Sequence, residues 1–159
     1  MAYIPTAEGW LYLAAMLDLF SRRIVGWSMG PAITAELACR ALDMAWYSRS
    51  PVAGLIFHSD RGSQYVSRCY TDLLAGHAIK ASMSRKGNCW DNACSETLFG
   101  SLKVERLHGM KFHSHREAKD AVMEWLLWYN QSRLHSTLNY LSPAQFEQQA
   151  NAQQQTLAA

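Results

Sequence analysis

Residues 10–29 hold two apolar, aromatic runs, WLYLAAMLDLF and RRIVGWSM, that meet at SRR. Runs rich in β-formers with so little chain between them predict two adjacent antiparallel strands. AYIP, across TAEG, is a candidate further strand on the same ladder, short enough to be a stub. From Thr34 the periodicity changes. Leu37, Ala41, Met44 and Ala45 recur at helical spacing, so TAELACRALDMAWYSR predicts a helix capped by Thr34. AGLIFHSD then reads as a buried strand, SRCYTDLLAGH as a short helix ended by Gly76, and AIKASMS as another strand. Strands alternating with helices make this an α/β chain, an antiparallel hairpin followed by parallel additions.

The polar loop RKGNCWDN precedes a helix expected from about Ala93 to about Leu107, with Asp91 or Asn92 as its cap. Only Trp90 in that loop is apolar enough to anchor it, so residues 85–92 are expected to be mobile without a ligand. Ser114 and Glu117 form an S-x-x-E capping box opening a helix whose Ala118, Ala121, Val122, Trp125, Leu126 and Tyr129 share one apolar face. That face is read as core. QQANAQQQTLAA reads as a frayed tail, which leaves residues 1–150 as one domain.

Composition narrows the function classes. Hydrophobic residues make up 49% and charged residues 18%, the balance of a folded globular chain. The apolar runs stop short of the roughly 18 residues of a membrane span, and MAYIPTAEG lacks a signal-peptide pattern, so the expected location is cytoplasmic. Four cysteines without CxxC or zinc-finger spacing read as reduced thiols. Net charge is only +2, but between Lys80 and Lys119 eight Lys or Arg face four Asp or Glu. That mild basic stretch suits a solvated helix face and a phosphate-binding face equally.

Two carboxylates stand out. Asp60 ends the apolar run before RGSQ, at the carboxyl end of a strand, where open α/β sheets hold ligands. A turn-forming Asp before Gly62 is the plainer reading. Glu96 lies in the first turns of the helix after the polar loop, where it also complements the helix dipole. Glu96, Phe99 or Gly100, and Lys103 fall on one side, pairing an acid with a cation two turns on. Such a face can hold a metal at one end and a phosphate at the other, because hard cations such as Mg²⁺ take a few carboxylates plus the substrate's own phosphate.

Four segments, YIPTAEGWLYLAAMLDLFSRRIVGW, HSDRGSQY, KGNCWDNACSETLFGSLKVE and YNQSRLHSTLNYLSPAQF, occur in order with family spacing. Over about Tyr3 to Phe146 the chain resembles the catalytic core of insertion-sequence transposases of the OrfB type, relatives of retroviral integrases. The resemblance implies a ribonuclease H-like mixed sheet flanked by helices, with a DDE active site. It implies that Asp60 and Glu96, separated by 35 residues, are the second and third catalytic acids and metal ligands. Lys103 matches a basic helix position that approaches the DNA end, with Gln64, Arg85 and Lys86 as looser DNA contacts. The implied cofactor is Mg²⁺ or Mn²⁺, and the implied partners are transposon ends, target DNA and further copies of the chain or of full-length transposase.

In the family the first catalytic acid sits just before the YIPT motif, which here begins at Tyr3. The alignment puts that acid immediately before Met1, so the resemblance implies an N-terminally truncated core with impaired strand transfer. A non-catalytic DNA-binding remnant is the alternative. Half of the first strand would be missing too, exposing its neighbours in the sheet. Asp18 is the nearest substitute acid, expected to be structural.

Overall fold

The computed structural model describes residues 1–83 and 93–157. β1 (Ala2–Thr6) and β2 (Gly9–Leu17) form a hairpin, in register from Ala2↔Leu13 to Thr6↔Gly9. Gly9, at φ +106, takes the backbone conformation that side chains resist, and the Thr6 hydroxyl donates to its carbonyl at 2.7 Å. β3 (Ile24–Gly30) pairs antiparallel with β2, with a bulge at Met16/Leu17.

β2 is apolar on both sides for a reason. Leu11 and Leu13 enter one cluster with Ile4, Leu98, Leu102, Val122 and Leu126; Ala14 and Met16 enter a second with Leu37, Ala41, Leu42 and Tyr70. The sheet is therefore covered on both faces. α1 (Ala35–Arg49) closes one face, and its Thr34 cap accepts from the Leu37 amide at 3.1 Å, as the sequence implied. Contact between α1 and β3 is so close that a Cβ on Gly26 would run into the Ala41 carbonyl and lie 2.6 Å from the Ala45 nitrogen.

α3 (Ala93–Leu102) and α4 (His115–Gln131) close the other face. The Ser114 hydroxyl accepts from the Glu117 amide, and the Glu117 carboxylate accepts from the His113 amide, one residue before the cap that a capping box would satisfy. Buried Asn130 docks α4 on the sheet: its side chain accepts from the Ile24 amide and donates to the Ile24 carbonyl, both at 2.9 Å. That amide takes the place of a missing strand neighbour.

Between β3 and α3 the chain forms β4 (Ile56–Ser59), α2 (Arg68–Gly76) and β5 (Lys80–Met83), with β4 and β5 parallel from Ile56↔Lys80 to Ser59↔Met83. Two details differ from the sequence reading. Among the described residues the ladders separate into β1-β2-β3 and β4-β5 rather than one continuous sheet. The GLIF strand is not buried either, since Leu55 is 46% and Ile56 67% exposed. Among the described residues β4 has a strand, β5, on one side, and its apolar residues are covered mainly where Phe57 meets Tyr65 and Tyr70, so apolar composition does not produce burial here.

The predicted helix at 93–107 is present but changes pitch. α3 passes at Lys103 into a π-helical segment, Lys103–Leu107. There Glu105 turns to α4, taking two Arg133 donors at 2.7–3.0 Å and the Trp125 indole N–H at 3.1 Å. Arg133 also lies 3.3 Å from His135 Nδ1. Burial, and next the Arg133 charge, push the His135 imidazole down to about 4. After a 3₁₀ turn at Ser136–Leu138, α5 (Pro143–Leu157) starts from reciprocal bonds between Ser142 and Gln145. It remains helical through the Gln-rich stretch to Leu157, and Glu147 ties it to Arg23 at 2.6 Å and to Arg49.

Gly26→Ala should destabilise the fold by about 1–3 kcal/mol or more, read from denaturant midpoints, because neither the α1 backbone nor β3 can yield cheaply. A second expectation concerns acid. Between pH 6.5 and 5 the unfolded chain takes up a proton at position 135 that the folded chain refuses, so stability falls as pH drops through that window. Urea titrations of the chain and of His135→Asn should diverge there, the variant losing less; parallel curves would show that His135 titrates alike in both states.

Candidate active site

Asp60 follows β4 at its carboxyl end and is exposed. One carboxylate oxygen, Oδ1, accepts from the Gly62 amide at 2.7 Å. The turn role and the rim position thus coexist, because a carboxylate has two oxygens and the turn engages only one of them. Gly62 lies close under its neighbours: a Cβ there would meet the Gln64 amide and lie 2.9 Å from Asp60 Oδ1, so those two side chains would have to shift. Gln64 folds back over the turn, and next to it burial, and then the Asp60 charge, push the Tyr65 hydroxyl up to about 12. Asp60 and Gln64 are therefore brought together around one glycine.

His58, two residues earlier, ties β4 to β5 through Ser82 Oγ at 3.1 Å from Nδ1, and its other nitrogen is buried with no partner among the described residues. The Met1 amino group, at the start of β1, relates Asp60 to the helix. Burial lowers its pKa most, Asp60 raises it, and Lys103 lowers it, so Asp60 and Lys103 both lie within electrostatic reach of that one group.

Glu96 sits exposed in the first turn of α3, and Lys103 is exposed at the end of that helix. Seven residues at 1.5 Å rise separate them by roughly 10 Å along one face. Arg85, Lys86 and the cap candidates Asp91 and Asn92, like the expected mobility of 85–92, lie outside the described residues. Asp18 is committed elsewhere: Oδ1 accepts from the Phe20 and Ser21 amides at 2.8 and 3.3 Å, and Oδ2 lies 3.6 Å from Arg49. It holds the β2–β3 turn, as expected of a structural acid.

The donor chemistry suits a hard cation in part. Asp60 and Glu96 offer exposed oxygens, the ligand type Mg²⁺ or Mn²⁺ prefers. Among the described residues no cluster of three or more His, Cys, Asp or Glu forms a metal cage. Two carboxylates hold such an ion weakly, with water and a substrate phosphate completing its shell.

Sequence reasoning passed over a second group of side chains. Arg22, Cys94, Ser101, Tyr129, Arg133 and His135 meet around a cavity behind α3. Arg133 and His135 belong to the YNQSRLHSTLNYLSPAQF segment, a signal that was visible without a chemical role; nothing in the sequence pairs them with Arg22.

Residues 1–89 match one integrase core domain model, and residues 77–143 match another. The transposase InsF for insertion sequence IS3fB of Escherichia coli (strain K12) is 49% identical over 150 residues, covering 94% of this chain and 52% of that protein. The chain spans about half the length of the curated relatives it matches. Among solved structures, the simian T-cell lymphotropic virus intasome in complex with PP2A regulatory subunit B56 gamma gives a TM-score of 0.69 at 16% identity, over 84% of this chain and 47% of that one. The HTLV-2 integrase catalytic core domain in complex with magnesium, dimeric form, gives 0.65 at 15% identity, over 91% and 90%. At such identities the likeness is one of fold. A match over more than half its length, on a ribonuclease H-like architecture, makes this chain a member of the integrase core domain family, with insertion-sequence transposases among its relatives.

Proposed function

We propose that the chain is the catalytic core of a DDE-type transposase, acting on DNA by metal-dependent phosphodiester cleavage and strand transfer. The observation that supports this reading is that Asp60 stands exposed at the carboxyl end of β4, while Glu96 and Lys103 stand exposed seven residues apart on one side of α3 and its continuation. Asp60 and Glu96 are the acids and the metal ligands, and the bound Mg²⁺ or Mn²⁺ supplies charge neutralisation at the phosphate. The residues themselves have positioning tasks. Asp60 presents a carboxylate oxygen from a rigid turn, Gln64 braces that turn, and Lys103 attracts the DNA backbone two helical turns from Glu96. Arg85 and Lys86 are proposed as further backbone contacts.

The partners in this reading are transposon ends and target DNA, with the chain working as a homo-oligomer or beside full-length transposase in the cytoplasm. No helix among the described residues is long and apolar enough to cross a membrane. The family's first acid aligns to a position preceding Met1, so a polypeptide limited to residues 1–159 is proposed to transfer strands poorly.

Strand transfer of a labelled element end in Mg²⁺ or Mn²⁺ tests this reading. A chain extended upstream to include the aligned Asp should be active, and Asp60→Asn or Glu96→Gln in it should each lower the rate on the order of 100-fold. Calorimetry should find weak Mn²⁺ binding to residues 1–159 that either substitution removes. An extended chain indifferent to loss of Glu96 would refute the assignment of the acids.

A further inference from the structure

Behind α3 lies a cavity of about 200 Å³ between that helix, the β2–β3 turn and the end of α4. Its α3 wall is Cys94, Thr97, Leu98 and Ser101. At 100° per residue this stripe points about half a turn away from Glu96, Gly100 and Lys103. One helix therefore carries the proposed acid on one side and the cavity on the other.

The two arginines of the cavity differ in how their charge is met. Arg133 is neutralised by Glu105 in a two-bond clamp and lies 5.6 Å from the Tyr129 ring centroid. Arg22 is half-buried, and among the described residues its hydrogen bond runs to the Cys94 thiol at 2.6 Å. A thiol can accept a hydrogen bond but brings no opposing charge. Burial pushes the Tyr129 hydroxyl up to about 12 and the His135 imidazole down to about 4, and the Arg22 charge reaches both across the cavity as a smaller downward influence. Among the described residues no Asp or Glu lines the cavity, and a partly desolvated guanidinium in such surroundings favours an incoming anion.

The rest of the wall suits one anion in particular. Ser101 Oγ accepts from Arg133 at 3.3 Å, which leaves its own hydrogen to donate. The first turn of the ten-residue α3 opens on the same space through Ala93 and Cys94, adding the positive end of the helix. The volume is below the about 300–1,000 Å³ of drug-sized sites, enough for one phosphate with part of its sugar and not for a long ligand. Tyr129 supplies an apolar ring wall for that sugar.

We propose that the cavity bounded by Arg22, Cys94, Ser101 and Arg133 holds a backbone phosphate of a DNA strand that crosses the N-terminal end of α3 toward Asp60 and Glu96. This rests on the transposase reading and adds a second grip to it. Arg22 and the helix end hold the strand away from the reacting phosphate, so the acids on the opposite face receive it in a fixed register.

Cys94 reports directly on occupancy. The full 159-residue chain, in chelator and without metal, is alkylated with iodoacetamide, and each cysteine peptide is followed by mass spectrometry. A short single-stranded oligonucleotide should slow Cys94 alkylation several-fold while leaving the α1–α2 pair Cys39 and Cys69 unchanged. Arg22→Gln should abolish the protection, weaken oligonucleotide binding by about tenfold in fluorescence anisotropy, and lower the salt slope by about one. Arg22→Lys, which keeps the charge, should retain most of the protection and guards against a folding defect in the first variant. Protection that survives Arg22→Gln, or that inorganic phosphate gives and the oligonucleotide does not, overturns the proposal. Asp60→Asn and Glu96→Gln should leave Cys94 protection intact. Failure at Arg22 with the acid variants behaving as expected therefore removes this inference alone, whereas acid variants without effect on strand transfer remove the catalytic reading.

Discussion

Burial of β2 on both faces is the constraint from which the rest of the molecule follows. Its even and odd positions feed separate hydrophobic clusters, so a helix layer is needed on each side. Side-chain period leaves no freedom in this: a slip of one residue would exchange the two clusters wholesale. α1 seats against the backbone of Gly26 on one side, and α4 seats through Asn130 on the other. The place of α3, and with it Glu96, is a consequence, since Leu98 and Leu102 of that helix enter the same cluster as Leu11 and Leu13.

Polar links then orient what the cores hold. Partly exposed ion pairs such as Arg23–Glu147 contribute roughly 0–1 kcal/mol each and serve mainly to set direction. The buried Asn130 pair matters more, because losing it would leave the Ile24 amide and carbonyl unsatisfied at about 1–3 kcal/mol apiece. Glu105 has a comparable geometric task. By engaging Arg133 and Trp125 together it fixes the π-helical turn that follows α3, and the widened turn lets Lys103 face solvent while Glu105 faces α4.

The same economy appears around Asp60. An Asx-type bond to Gly62 stiffens the loop with one carboxylate oxygen, and the absent glycine side chain lets Gln64 close over it. Local structure and the proposed chemistry draw on different oxygens of one group and do not compete. α3 shows a parallel division at larger scale, with an acid and a lysine on one face and a basic cavity on the other.

Much of this was legible from the chain alone. The Thr34 cap, the Ser114–Glu117 pair and the hairpin are local patterns, and local patterns follow from backbone sterics, capping and side-chain period. The exposure of GLIF was not, because burial depends on which neighbours arrive and not on how apolar a strand is. Nor could the sequence place Arg22 against Cys94, 72 positions away, or pair Arg133 with Glu105 across two helices. Local pattern in the sequence determined the elements, and four motif segments in order pointed to the family and, through it, to the two proposed acids; only tertiary packing decided which charges meet, since electrostatic contacts depend on distance in space and chain separation carries no information about it.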